Sequence, residues 1–421
     1  METFAWGHGG VLMLLGIIIW LLTLLLTYLF LGASSQQHPS LNKRFLLILF
    51  LYHSLLAIAY YAYALGNPSD SKGYYFKANT KFLGDVWFDY FGVSTSFIDF
   101  IAFFLVNRLG LNYEGSMVLF SWFGYLGFVF FYIFFSERIK TRPRLFGFNG
   151  ILILLLLPNL HFWSSSLGKG SLIFLGFGMF FYGLNRPGMR FWALLLGGWI
   201  IFQIRPHIFY VVLIALGLGY TFSTRGVAFG YRVIILIIAG FLLNAIYLDV
   251  IKLTGLEDDS MLDPLISHRA RELTKATSGI DITNYSFPEK LFAFWFRPLF
   301  FDAPGALGWI VSFENLFYLV FFMRLLQPKA LAYLFRADAF VKTCLLTFAG
   351  VSAALAQISG NLGLAMRQKS QVMILMLFVI LKYMDERKIV EMKLITQRKK
   401  LIASRKQKLE LTQTLDIRLK T

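Results

Sequence analysis

Residues 159–207 read NLHFWSSSLGKGSLIFLGFGMFFYGLNRPGMRFWALLLGGWIIFQIRPH. Two apolar segments of about 14 residues each lie between Lys169 and the sequence Arg205-Pro206-His207, and both are shorter than the roughly 20 residues that cross a bilayer squarely. The basic turn NRPGMR separates them. A helix that leaves Lys169 and a helix that returns to Arg205 end at the same membrane face. We therefore expect Lys169, Arg205 and His207 to lie close together at the mouth of a membrane-embedded cavity.

The composition places this stretch within a membrane protein. Hydrophobic residues make up 57% of the 421 residues and charged residues only 15%, with a mean hydropathy of +0.64, which is outside the range of soluble domains. The net charge of +17 does not indicate nucleic-acid binding, because much of it lies in short loops and in the C-terminal tail. The single cysteine, Cys344, excludes a disulfide within the chain. The predicted fold class is an all-α polytopic transmembrane helix bundle.

Eleven apolar segments are predicted to cross the membrane: residues 11–31, 45–65, 116–135, 145–163, 171–184, 191–204, 207–222, 232–251, 306–323, 341–359 and 371–384. Residues 1–384 then form a single transmembrane domain with outer loops at 66–115 and 252–305, followed by a basic cytoplasmic helical tail at 385–421. The N-terminus lacks the basic region of a signal peptide, so we expect the first apolar segment to be a retained helix.

The distribution of Lys and Arg predicts the orientation. The tail is rich in both residues, which favours the cytoplasmic side, and counting spans back from it places the N-terminus outside. A count forward from the basic pair Lys43-Arg44, placed inside, gives the same orientation only if the apolar run at residues 97–106 does not cross the membrane. We therefore expect this run to be an interfacial helix within the first outer loop.

The cationic candidates that this topology places on the outer side are Lys169, Arg205, His207, Arg297 and the pair Arg367 and Lys369. Cations at the edge of the hydrocarbon are costly and point to function. Arginine binds two phosphate oxygens in a fork and lysine acts as a point charge, so these residues are candidates for binding the phosphates of a lipid-linked substrate. The alternative is that they are anchors that reach lipid headgroups.

Asp70 follows the second predicted span and is the candidate catalytic residue, because a carboxylate there can act as general base for a sugar hydroxyl. The alternative is an ordinary loop aspartate after Asn-Pro-Ser. Candidates for lining the pocket are Tyr74, Tyr75, Trp163 and Ser165, although an aromatic-belt position explains Trp163 equally well. We predict no cofactor and no metal ligands. The acidic residues at 257–263 could supply oxygen ligands for a divalent cation, but they lack the spacing of an EF-hand, so no clear motif supports such a site.

The segments FWSSSLGKGS and IRPH, with the later NLGLAMRQKS, resemble Wzy- and EpsG-like bacterial polysaccharide polymerases. More broadly, an acidic residue after a span and an interfacial helix in the first outer loop resemble GT-C-type membrane glycosyltransferases. The likeness covers about residues 45–385, and these polymerases often carry Lys-Asp where this chain has Lys169-Gly170. The resemblance implies polysaccharide biosynthesis in the cell envelope from a polyprenyl-phosphate-linked glycan, at the outer face of the bacterial inner membrane.

Two alternatives remain open. A transporter or flippase of a lipid-linked glycan or another anion would use the same cations without a base. A non-enzymatic protein of envelope assembly would use the basic tail to dock a cytoplasmic protein or anionic lipid. In each case the expected partners include membrane lipids and exclude nucleic acid.

Overall fold

The computed structural model describes residues 9–80, 86–223, 228–254, 285–303, 305–357, 359 and 361–420, and these are nearly all helical. The helices are α1 (Gly9–Gln37), α2 (Lys43–Gly66), α3 (Asp70–Thr80), α4 (Thr95–Phe103), α5 (Tyr113–Arg138), α6 (Gly150–Leu155), α7 (Pro158–Trp163), α8 (Lys169–Asn185), α9 (Phe191–Ile204), α10 (Pro206–Thr221), α11 (Phe229–Thr254), α12 (Phe287–Phe296), α13 (Gly305–Met323), α14 (Pro328–Arg336), α15 (Ala339–Ala356) and α16 (Leu362–Lys420). Strands β1 (Arg144–Leu145) and β2 (Phe148–Asn149) form a short antiparallel hairpin.

Among the described residues, five helices are long and apolar enough to cross a membrane: Met13–Gln37, Lys43–Gly66, Tyr113–Arg138, Ala339–Ala356 and Leu362–Gln407. Helices α13 and α14 form a sixth candidate that is bent by 77° at its break. Shorter apolar helices are Phe191–Ile204, Pro206–Thr221 and Gly230–Leu242. The chain is thus a helical membrane protein, as its composition predicts.

The core of the bundle surrounds the apolar part of α16. Residues 372–381 of this helix have no exposed surface. Phe378 packs against Phe134 of α5 at 5.2 Å and against Phe340 of α15 at 5.7 Å between ring centroids. Because aromatic rings bury large areas, this contact fixes α16 against the two helices that flank it.

Glycines let α8 pack closely on both of its neighbours. A Cβ on Gly178 would lie 2.7 Å from the carbonyl oxygen of Gly127 in α5. A Cβ on Gly197 of α9 would lie 2.4 Å from the backbone nitrogen of Phe180. Close backbone approach through small residues is the common packing mode of helices in membranes. These contacts hold α8 and α9 as an antiparallel hairpin with Lys169 and Arg205 at the same end.

Glu137 of α5 fixes the opposite end of this hairpin. Arg190 donates to both of its carboxylate oxygens, at 2.6 and 2.9 Å, and Asn185 donates to one of them at 2.6 Å. His38 lies 3.2 Å from the same carboxylate. A largely buried and fully hydrogen-bonded pair of this kind orients the turn between α8 and α9, and removing one partner commonly costs about 3–5 kcal/mol.

Three predicted segments differ from the structure in detail. Residues 145–163 do not form one continuous helix. They contain the last residue of β1, all of β2, and the two short helices α6 and α7. Helix α6 does not continue into α7 because Pro158 lacks an N–H and begins a new helix. The run at 97–106 is the short helix α4 followed by a π-helical turn at Phe104–Arg108. The basic tail continues α16 without a break at residue 385, within a helix of 59 residues.

The second predicted outer loop, residues 252–305, is described only at its ends. Residues 255–284, which include the acidic residues at 257–263, and residue 304 lie outside the described part of the chain. The described end forms α12, whose first turn is closed by a capping box between Ser286 and Glu289.

Candidate anion-binding site

Lys169 is the first residue of α8 and precedes the apolar segment that begins at Ser171. Its Nζ donates to Ser94 Oγ and to Thr95 Oγ1, each at 2.9 Å. Burial, followed by the nearby charges of Arg205 and Arg367, lowers the pKa of Lys169 to about 8. The ammonium group is therefore held in place by neutral hydroxyl oxygens while two other cations repel it.

Arg205 lies at the junction where α9 ends and α10 begins at Pro206. The last turn of α9 is held in place because the backbone N–H of Ser94 donates to the carbonyl oxygen of Gln203 at 2.6 Å. Burial and then the charge of Arg367 lower the pKa of Arg205 to about 10. Across the described residues, the guanidinium of Arg205 has no carboxylate within salt-bridge distance.

Arg367 and Asp70 form an ion pair at the same place, between Arg367 Nη1 and Asp70 Oδ2. The side chain of Asp70 is 57% exposed and that of Arg367 only 19%, so the carboxylate is the accessible member of the pair. A Cβ on Gly168 would lie 4.0 Å from Arg367 Nη2, which places Arg367 directly beside the start of α8. The catalytic candidate and three of the cationic candidates are thus brought together.

Tyr74 and His207 complete the group. Tyr74 is buried beside Gly168 and hydrogen-bonds with the side chain of Thr95. Its burial, followed by the charge of Asp70, raises its pKa to about 12, so it is a neutral hydroxyl at physiological pH. His207 is exposed and lies within electrostatic range of Arg205 and Lys169. Lys169, Arg205, His207, Arg367, Asp70 and Tyr74 are called the cation cluster below.

The cation cluster carries more positive than negative charge. Asp70 is paired with Arg367, and the next carboxylate, Asp99, is paired with Lys77 at 3.2 Å. The charges of Lys169 and Arg205 are left without a carboxylate partner among the residues described. Several cationic donors at one place can bind a multiply charged anion such as a phosphate or pyrophosphate.

Arg297 is not part of this cluster. Its guanidinium binds Asp302 and Tyr285, and its carbonyl oxygen accepts from Lys369 at 2.9 Å. Lys369 has no exposed surface and also donates to Asn315 Oδ1 at 2.7 Å and to the carbonyl oxygen of Trp295 at 3.2 Å. Both side chains are thus engaged in contacts that join α12, α13 and α16, and the structure does not bring Arg297 to the phosphate candidates.

Three of the four predicted lining residues already have contacts within the fold. Tyr75 packs on Tyr113 with ring centroids 5.4 Å apart. Trp163 Nε1 donates to Asn159 Oδ1 at 3.0 Å, and the buried hydroxyl of Ser165 donates to the carbonyl oxygen of Phe162 at 3.0 Å. The fourth, Tyr74, belongs to the cation cluster.

Close packing accounts for the glycine that follows Lys169. A Cβ on Gly170 would lie 2.2 Å from the carbonyl oxygen of Trp163, so the close contact between α7 and the start of α8 has room only for glycine. Gly168 has φ +148° and ψ −165°, a backbone conformation that is essentially restricted to glycine. The two glycines on either side of Lys169 therefore fix its position.

Sequence reasoning missed Ser94, Thr95 and Gln203. Ser94 links the tips of α8 and α9, since its hydroxyl accepts from Lys169 and its N–H donates to Gln203. It adopts φ +64°, which is unusual for a residue other than glycine and is often found at functional sites. The only signal in the sequence is the polar run Ser94-Thr95-Ser96 where α4 begins. Within the described ranges, no group of three or more His, Cys, Asp and Glu residues could hold a metal ion.

No protein-family model matches this chain, and neither the curated proteins nor the solved structures contain a significant match. The likeness to polysaccharide polymerases therefore rests on the short motifs around Lys169, Arg205 and Arg367.

Proposed function

We propose that this protein is an integral-membrane glycosyltransferase or polysaccharide polymerase that uses a polyprenyl-phosphate-linked glycan. The observation that carries the proposal is that Lys169, Arg205 and Arg367 converge while the first two have no carboxylate partner among the described residues. These three cations bind the phosphate or pyrophosphate of the donor. The bond between the anomeric carbon and the phosphate oxygen breaks as the acceptor oxygen bonds to that carbon, so the polyprenyl phosphate or pyrophosphate is the leaving group and the reaction needs no nucleotide.

In this proposal the cation cluster accelerates transfer by stabilising negative charge on the leaving phosphate. Fixed donors at the place where charge develops are commonly the largest contribution to catalysis. Asp70 deprotonates or orients the acceptor hydroxyl, and its 57% exposure lets an acceptor approach. Tyr74, which remains neutral, supplies a hydroxyl beside the same carboxylate.

The proposal includes a topology of eleven spans with the N-terminus outside and the C-terminus in the cytoplasm of a bacterial inner membrane. Helical segments overlap all eleven apolar runs, with residues 145–163 broken into α6 and α7. The Lys- and Arg-rich end of α16 supports a cytoplasmic C-terminus. In this topology the cation cluster faces the outer side, which is where the resemblance to polysaccharide polymerases implies that the lipid-linked glycan is used.

Replacement of Arg205 by alanine tests the proposal. Losing a hydrogen bond to a charged group commonly costs about 1.5–3 kcal/mol, so we expect the purified Arg205→Ala protein to bind a polyprenyl phosphate roughly tenfold or more weakly. Glycan transfer should fall with it. Arg336→Ala removes an exposed arginine at the end of α14 and is the matched control, expected to bind as the wild type does. Unchanged binding and unchanged polymer in a well-expressed Arg205→Ala strain would contradict the proposal.

A further inference from the structure

Helices α1, α2 and α5 enclose a cavity of about 560 Å³ that is separate from the cation cluster. Its walls are almost entirely apolar and include Ile17, Leu55 and Val118. Ile17 is 53% exposed and Leu55 61% exposed, so the cavity opens sideways toward the surface that the hydrocarbon of the membrane covers. Its volume is within the usual range of about 300–1,000 Å³ for small-molecule sites, and its lining fits a hydrocarbon chain.

Glu114, in the first turn of α5, lines this cavity. The hydroxyl of Tyr61 donates to Glu114 Oε1 at 2.7 Å. Throughout the part of the chain that is described, Glu114 forms no salt bridge. A carboxylate beside hydrocarbon without a cationic partner is costly and marks a site for which a partner must be sought.

Close packing keeps Glu114 in the cavity wall. A Cβ on Gly16 of α1 would lie 3.1 Å from Cβ of Glu114, so α1 passes directly over the first turn of α5. Trp20 and Trp122 line the same cavity, and the indole N–H of Trp20 donates to Ser54 Oγ at 2.9 Å. The two indole rings add to the apolar wall that a hydrocarbon chain would contact.

We propose that this cavity binds a lipid whose headgroup carries a protonated primary amine, with one hydrocarbon chain between α1, α2 and α5 and the ammonium group on Glu114. An ammonium group has three donors and can bind the second carboxylate oxygen of Glu114 while Tyr61 keeps its bond to the first. A trimethylated amine has no N–H to donate. A headgroup with phosphate alone is repelled by the carboxylate, which separates this site from the cation cluster.

Photo-crosslinking of the purified full-length protein tests the assignment. The probe is a fatty amine with a diazirine in its chain, compared with the fatty alcohol of equal length, and the labelled residues are mapped by mass spectrometry. We expect the amine to label residues of α1, α2 and α5 and the alcohol to label them much less. Phosphatidylethanolamine should compete with the amine, and phosphatidylcholine should compete poorly.

Three variants sharpen the test. Glu114→Gln keeps the shape of the side chain and should lower labelling by the amine roughly tenfold, the usual effect of losing a charge-assisted hydrogen bond. Asp89→Asn removes an exposed carboxylate outside the cavity and should label as the wild type does. Val118→Trp fills the cavity and should lower labelling by both probes. Two results with the wild-type protein would overturn the proposal: equal labelling by the amine and the alcohol, or equal competition by the two phospholipids. Neither result depends on whether a variant folds.

Discussion

Asp70 is bound to Arg367 in the structure, and this pairing affects both proposed roles. While this contact lasts, the carboxylate of Asp70 is occupied by the guanidinium and is not free to accept a proton from an acceptor hydroxyl. A phosphate that arrives at the cation cluster competes with Asp70 for the donors of Arg367. Binding of the donor would thereby free the carboxylate for the acceptor hydroxyl, so the base becomes available when the substrate is in place.

The first prediction concerns Asp70→Asn. Because general-base catalysis contributes roughly 10²–10⁴-fold, glycan transfer should fall by that factor, whereas binding of a polyprenyl phosphate should persist. The measurements are product formation by purified protein and the affinity for the lipid phosphate, with Arg205→Ala as the variant that loses both. If Asp70→Asn still forms product at the wild-type rate, Asp70 is not the base and a carrier that uses the same cations becomes the better interpretation.

The second prediction concerns pH. Burial and the nearby charges of Arg205 and Arg367 lower the pKa of Lys169 to about 8, so its side chain is charged below this pH and loses its charge as the pH rises through it. Affinity for a lipid phosphate should therefore decrease between pH 7.5 and 9.5, a range in which the phosphate itself, with a second pKa of about 6, stays fully ionised. Lys169→Arg should bind with little change over this range, because arginine remains charged. A wild-type affinity that is constant with pH would exclude a direct role for the charge of Lys169.

At the scale of elements, the position of Arg205 depends on how closely α9 packs on α8. The third prediction is that Gly197→Val, which adds a side chain 2.4 Å from the nitrogen of Phe180, pushes the helices apart. Overpacking of this kind commonly costs about 1–3 kcal/mol, so the melting temperature and the affinity for lipid phosphate should both decrease. Gly188→Val, in the turn of the same hairpin where a Cβ meets nothing within 4 Å, is the control. Equal affinities of the two variants would show that the hairpin does not position Arg205.

The sequence predicts some of these elements and not others, for physical reasons. Two short apolar segments between basic residues predict a helical hairpin that returns to its starting side, and α8 and α9 place Lys169 beside Arg205 accordingly. The role of Ser94 depends on contacts with residues more than 70 positions away, as in its 2.9 Å hydrogen bond to Lys169, and local patterns carry no information about them. The sequence predicts Arg297 as a phosphate ligand because hydropathy indicates where a residue lies relative to the membrane. Hydropathy does not show that its guanidinium is paired with Asp302.

At the scale of the whole molecule, the two ends of the α8–α9 hairpin have opposite electrostatic designs. At the turn, the cation Arg190 is neutralised by Glu137, which also binds Asn185. At the other end Lys169 and Arg205 have no carboxylate partner among the described residues. A contact that only holds the fold together is stable when its charges are neutralised, whereas an anion-binding site needs cations that are not already paired. The unpaired cations therefore favour a binding role for the end of the hairpin that carries Lys169.

The fourth prediction is the orientation of the chain, on which the outer position of the cation cluster depends. Cys344 is buried and is the only cysteine, so a Cys344→Ser protein provides a background without reactive thiols. In that background, a cysteine in place of Asp89, which is exposed before α4, should react with a membrane-impermeant maleimide in intact cells. A cysteine in place of Ser404, exposed on the basic end of α16, should react only after the cells are opened. The opposite labelling would place Lys169 and Arg205 on the cytoplasmic side, where their phosphate ligand would have to come from a cytoplasmic donor.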